Sequence, residues 1–241
     1  MFFYYVDWTY LILVFPAILF SIWASIKVNS TFNKYSKVKS AYGVTGARAA
    51  RRMLDENGLQ HVKIERIAGN LTDHFDPRDN VVRLSASTHD NTSPAAIGVA
   101  MHEVGHAIQH AEAYGPIKLR QAIIPMTNIG SKLAIPLIII GTILSAFSAQ
   151  SNLGMYCAIT GVVLFAVCVF FQLVTLPVEF NASKRAVKAL ESTYMLKESE
   201  IPIVKKVLTA AAMTYVAALA VSLAQLLRFL MIISRMNNRR D

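Results

Sequence analysis

His102, Glu103 and His106, in the stretch Val99 to Ile108, form an HExxH motif. On a helix, positions i and i+4 share one face about a turn apart, so both imidazoles can bind a single ion while the intervening carboxylate stands beside its open position. The ion this ligand type suits is zinc, one per chain, and the chemistry is water activation, with Glu103 as general base and acid. The flanks agree with a buried metal helix: Ile97 to Met101, Val104, Gly105 and Ala107 carry no charge.

A catalytic zinc takes three protein ligands and keeps a fourth position open. The extended HExxHxxGxxH pattern is absent, because Gln109 and Glu112 stand where it needs Gly and His. His110 is one turn beyond His106, but three successive i+4 positions drift along a helix, so a solvent or supporting role suits it better. The leading third ligand is Glu179, in Leu176-Pro-Val-Glu-Phe-Asn-Ala-Ser183, because a carboxylate at the end of an apolar run has a reason to be there if a cation holds it. Its plainer reading is a first-turn Glu after Pro177. Glu112, Glu191, Glu198 and Glu200 compete less well, the first lying on the HExxH helix itself and the others in a polar segment.

The elements that must position these residues follow from capping and composition. Ser93 is a suitable N-cap, Pro94 suits the first helical position, and no breaker comes before Gly115-Pro116, which predicts a helix over roughly 94 to 112. Of 241 residues 54% are hydrophobic and 16% charged, with the apolar residues gathered into long runs. Thr9 to Ile26, Leu133 to Ala149, Leu153 to Leu176 and Val207 to Ile233 approach or exceed a bilayer span. Lys132 interrupts the second run, which Ala122 to Ile129 extends if that lysine snorkels. Pro16, Pro125 and Pro136 are tolerated in such helices. Cys157 and Cys168, in the third run, read as small packing residues.

Lys27, Lys34, Lys37, Lys39, Arg48, Arg51 and Arg52 follow the first run, whereas Asp7 precedes it with no Lys or Arg. The positive-inside rule then puts residues 27 to 132 in the cytoplasm, with Lys118, Arg120, Lys132, Lys184, Arg185 and Lys188 in agreement and Ser148 to Asn152 as an outside turn. Arg235, Arg239 and Arg240 disagree, since four full spans would place them outside; a partly interfacial or re-entrant last helix would resolve this. The net charge of +9 flanks apolar runs and shows no aromatic-interleaved stripe, so it points to anionic lipid and away from nucleic acid. The first run has neither a basic n-region nor a small-residue cleavage site, and reads as a retained anchor.

The polar segment between the first two runs predicts an amphipathic helix over Gly46 to Asn57 after Thr45, stopped by Gly58, then strands at His61 to Ile67 and Val81 to Ser85 around a turn-rich Asp76 to Asn80. The second strand is a candidate for pairing with an extended substrate. The expected class is a mainly α, polytopic membrane protein with about four transmembrane helices and a small α+β zincin-like cytoplasmic domain carrying the HExxH helix. Its expected divisions are an anchor over 1–27, the half-domain over 28–120, a transmembrane hairpin over 121–177, a cytoplasmic segment with the third ligand over 178–206, and a C-terminal membrane helix and tail over 207–241. So small a polar segment needs the transmembrane helices to complete its core.

His102-Glu103-x-x-His106, a hydrophobic hairpin and Pro177-Val-Glu-Phe-Asn-Ala-Ser183 together resemble the YugP-like neutral zinc metallopeptidases, bacterial membrane proteases. The order of elements is also similar to the wider HtpX and CAAX-prenyl protease group of membrane gluzincins, where the third ligand begins an ExxxD pattern. Here the fourth position after Glu179 is Ser183, which fits a YugP-like protein better. The resemblance implies a protease of the bacterial cell membrane acting on membrane or membrane-proximal protein or peptide. The mechanism needs a donor for the oxyanion; His89, Tyr194 and Arg185 are the candidates. Two other readings stand beside it: a catalytically silent membrane scaffold or chaperone keeping the protease fold, and a site-2-type protease with HExxH inside a span, which Lys118, Arg120 and the lack of a Leu-Asp-Gly-like motif disfavour.

Overall fold

The structure is a computed structural model that describes residues 8–147 and 152–237. Asp7, Ser148 to Ser151, Arg239 and Arg240, on which parts of the orientation argument rest, lie outside the described residues. The first helix opens with a π-helical stretch, Tyr10–Val14, and continues as α1, Phe15–Tyr35. Then come α2 (Gly46–Glu56), β1 (Lys63–Ile67), β2 (His74–Asp76), β3 (Val81–Ser85), a short α3 (Ala86–His89) and α4 (Pro94–Ala111). Three long helices complete the chain: α5 (Gly115–Phe147), α6 (Leu153–Thr193) and α7 (Ile201–Asn237), the last entered through a 3-10 turn at Glu198–Glu200.

Among the described residues, four helices are long and apolar enough to cross a membrane: Tyr10–Tyr35, Gly115–Phe147, Leu153–Thr193 and Glu198–Asn237. The 24-residue apolar stretch that begins α6 would rise about 36 Å at 1.5 Å per residue, against roughly 30 Å of hydrocarbon. Large apolar side chains such as Trp23, Ile140, Val163, Phe170 and Leu227 stand exposed on these helices, as lipid-facing residues do. The helices outrun the sequence expectation. Lys132 does not shorten α5, and α6 continues through Pro177 instead of restarting after it. Glu179 is therefore an interior helical residue, which removes its reading as a first-turn acid. The last helix is one unbroken element, without the break that a re-entrant segment requires.

The chain divides into two compact units, Met1–Trp23 with Leu119–Thr175 and Tyr215–Asp241, and Ala24–Lys118 with Leu176–Thr214. In the first unit, α5 and α6 approach backbone to backbone: a Cβ on Gly161 would lie 2.7 Å from the Ala134 carbonyl oxygen. Ile138, Val162 and Phe229 form its buried cluster.

The second unit holds the HExxH helix. Its core joins Ala50, Met53 and Leu54 of α2, Val82 and Leu84 of β3, and Ile97, Met101 and Val104 of α4 to Ala186 and Leu190 of α6 and Val204 and Leu208 of α7. The polar ends of the long helices thus supply the apolar surface that the short segment lacks. Thr45 caps α2 by accepting from the Arg48 N–H. In the three-stranded sheet the order is β1-β3-β2, with β3 parallel to β1 and antiparallel to β2. This overturns the expectation that Val81 to Ser85 receives a substrate strand, because both its edges are already paired. Arg83 of the central β3 ties the three strands together by donating to Asp76 of β2 at 2.7 Å and Glu65 of β1 at 3.2 Å.

Candidate metal centre

Helix α4 forms where its ends are satisfied. The Ser93 hydroxyl accepts from the Ala96 N–H at 3.1 Å, Pro94 takes the first helical position, and the Glu112 N–H closes the last turn on the Ile108 carbonyl. Within it, His102 and His106 project from one face with ring centroids 4.7 Å apart and planes at 87°. Glu103 is buried on the same helix, close enough for its charge to act on His106.

Gly105 lets α6 come near. A Cβ there would lie 2.8 Å from the Ala182 carbonyl oxygen and 3.1 Å from its Cα. That approach carries Glu179, three residues before Ala182, to the two imidazoles. His102 Nε2 stands 3.3 Å and His106 Nε2 3.5 Å from Glu179 Oε2, and the two Nε2 atoms are 3.2 Å apart.

These lengths provide a test of the metal. Zinc bonds of 2.0–2.2 Å arranged tetrahedrally place neighbouring ligand atoms about 3.3–3.5 Å apart. The three separations fall at or within about 0.1 Å of that range, so the donor set fits zinc in both chemistry and size. A buried carboxylate and two imidazole nitrogens gathered so tightly could hold a metal ion among them.

Outside this triangle, the remaining ring nitrogens have partners. His102 Nδ1 lies 3.1 Å from the Ser183 hydroxyl. His106 Nδ1 lies 3.0 Å from Gln109 Oε1. Gln109 Nε2 donates in turn to the Val178 carbonyl and to Asn181 Oδ1. Burial works against a charged His106, but the Glu179 hydrogen bond and the Glu103 and Glu179 charges outweigh it, and the imidazole pKa is raised above its ordinary value.

The profile of the family described as "Putative neutral zinc metallopeptidase" matches residues 10–234. The chain belongs to that family. A curated relative, "Putative membrane protease YugP" of Bacillus subtilis (strain 168), is 49% identical over 223 residues, covering 92% of this chain and 96% of the relative. No solved structure matches the chain at a significant level.

For this zinc-metallopeptidase family member, the structure brings together three of the residues singled out from sequence, His102, His106 and Glu179. The proposed oxyanion donors have their contacts elsewhere. His89 Nδ1 pairs with Asp90 at 2.7 Å, Tyr194 is exposed just beyond α6, and the Arg185 guanidinium donates to Glu112 at 2.6 Å and Asn181 at 2.7 Å. His110 turns its ring against Phe75, outside the three-donor group. Sequence reasoning missed the supporting role of Gln109. The available signal was an uncharged polar residue one turn after His106, on a helix whose buried positions are apolar apart from Glu103.

Proposed function

We propose that this chain is a membrane-embedded zinc metalloendopeptidase that hydrolyses peptide bonds at the cytoplasmic membrane face. The observation that carries the reading is the convergence of His102 Nε2, His106 Nε2 and Glu179 Oε2 at separations suited to one tetrahedral ion. Family membership and the relative's name support a peptidase in a membrane. The basic residues after the first apolar run support a cytoplasmic location for the second compact unit, read as a zincin-like half-domain completed by the ends of α6 and α7.

His102, His106 and Glu179 would hold the ion. When bound, zinc supplies Lewis acidity, lowering the pKa of a water to about 7 and polarising the scissile carbonyl. The Glu103 carboxylate takes the proton from the attacking water and delivers it to the departing amine nitrogen. The substrate class is a membrane or membrane-proximal protein or peptide.

The test separates catalysis from scaffold. Glu103→Gln should retain zinc and fold while losing cleavage of a peptide library in detergent by at least about 100-fold, the usual weight of a general base. Wild-type cleavage by this variant would refute the role, and a cellular phenotype fully rescued by it would favour the silent scaffold or chaperone.

A further inference from the structure

We propose that Gln109 is the positioning residue of the metal centre: one buried amide fixes the tautomer of His106 and docks the helix that carries Glu179. This inference rests on the zinc reading above but makes a claim of its own about a proton.

Gln109 is fully buried in α4, one turn beyond His106. Which end of a glutamine amide carries oxygen follows from its partners. The Val178 carbonyl, 2.8 Å away, can only accept, so it must face the Gln109 NH2 group. Asn181 Oδ1, at 2.9 Å, imposes the same orientation independently. Its own identity as an oxygen is set by Arg185 Nε, a donor with no acceptor capacity, at 2.7 Å, and Arg185 is tied to Glu112.

The rest is forced by elimination. With both hydrogens of its amide nitrogen directed at α6, Gln109 presents Oε1 to His106 Nδ1 at 3.0 Å, and an oxygen there requires Nδ1 to carry the proton. A neutral His106 so held has its lone pair on Nε2, the atom facing His102 Nε2 and Glu179 Oε2. The polarity therefore runs without a free choice from Glu112 through Arg185, Asn181 and Gln109 to the metal-facing nitrogen. His102 lacks such a lock, since its neighbour Ser183 has a hydroxyl that can donate or accept. The same Gln109 NH2 group also binds the residue immediately before Glu179 in sequence, so ligand orientation and helix docking share one side chain.

The experiment uses the full chain in detergent, metal-free, with histidine-selective 15N labelling, at a pH where the 15N shifts show the His106 ring to be neutral. The His106 signals are assigned by their disappearance in His106→Gln. In the wild type His106 should show a single Nδ1–H tautomer. Gln109→Met, similar in size without the polar ends, should leave a mixture of tautomers. Zinc affinity by chelator competition should fall about 10- to 100-fold in Gln109→Met, as for other residues that orient ligands. A wild-type His106 protonated at Nε2 would overturn the proposal, with no variant needed. So would a Gln109→Met chain that keeps one Nδ1–H tautomer, whether or not its stability drops, because that outcome leaves only a docking role. Failure of the wild type to bind zinc would instead strike the metallopeptidase reading, and leaves the metal-free tautomer result to be judged by itself.

Discussion

Replacing Gly105 with alanine probes the distance on which the whole site depends. The added Cβ would meet the Ala182 carbonyl oxygen at 2.8 Å, whereas ordinary contact begins at 3.4 Å. The obstructing atom is helix backbone and cannot rotate away, so α4 and α6 must separate by about 0.6 Å near this point, given the usual steepness of van der Waals contacts. Overpacking of this kind costs about 1–3 kcal/mol. Alanine's better helix propensity returns roughly 1 kcal/mol, so the net loss of apo stability should be only about 0–2 kcal/mol. Metal binding should suffer more. Ligand distances tolerate only about 0.2 Å, and Glu179 moves with Ala182 on the same helix, so zinc affinity should fall about 10- to 100-fold. The assay pairs chelator competition with thermal unfolding under excess chelator, which separates affinity from apo stability. Gly115→Ala is the control, since nothing lies within 4 Å of its added Cβ. A Gly105→Ala chain that binds zinc as tightly as wild type would refute the argument that close helix approach places the third ligand.

Two further outcomes are expected. Asp76 is held below its ordinary carboxyl value first by the Arg78 backbone N–H and then by Arg83, so its contribution to stability is full above the ordinary value of 3.8 and is lost as pH falls through the lowered one. Asp76→Asn should accordingly flatten the acid limb of thermal stability below about pH 5, and an unchanged limb would count against the clamp. For orientation, a cysteine placed at Ser87 in a chain with Cys157 and Cys168 replaced by alanine should react with an impermeant thiol reagent only in inside-out vesicles; labelling from the outside would reverse the assignment.

How much of this was legible beforehand depended on the range of the interactions. The HExxH helix could be read because both its spacing and its cap, Ser93, are local. Glu179 could be singled out because a carboxylate at the end of an apolar run is costly without a partner. The alternative of a helix start after Pro177 falls away, because α6 runs straight through it. The sheet order was out of reach, because β2 is only three residues and β1 pairs with β3 across intervening chain, leaving no periodicity to read. Gln109 was noticed only as a residue that spoils another zinc motif. Its α6 partners, Val178 and Asn181, are 69 and 72 positions away, and nothing local announces them.

The most direct measurement is metal stoichiometry on the detergent-purified, metal-replete full chain, with Glu179→Ala prepared identically. One zinc per wild-type chain, lost or strongly weakened in the variant, is the result expected of a His102, His106 and Glu179 centre. A folded wild-type chain without zinc, or a Glu179→Ala chain that retains it fully, would contradict that centre.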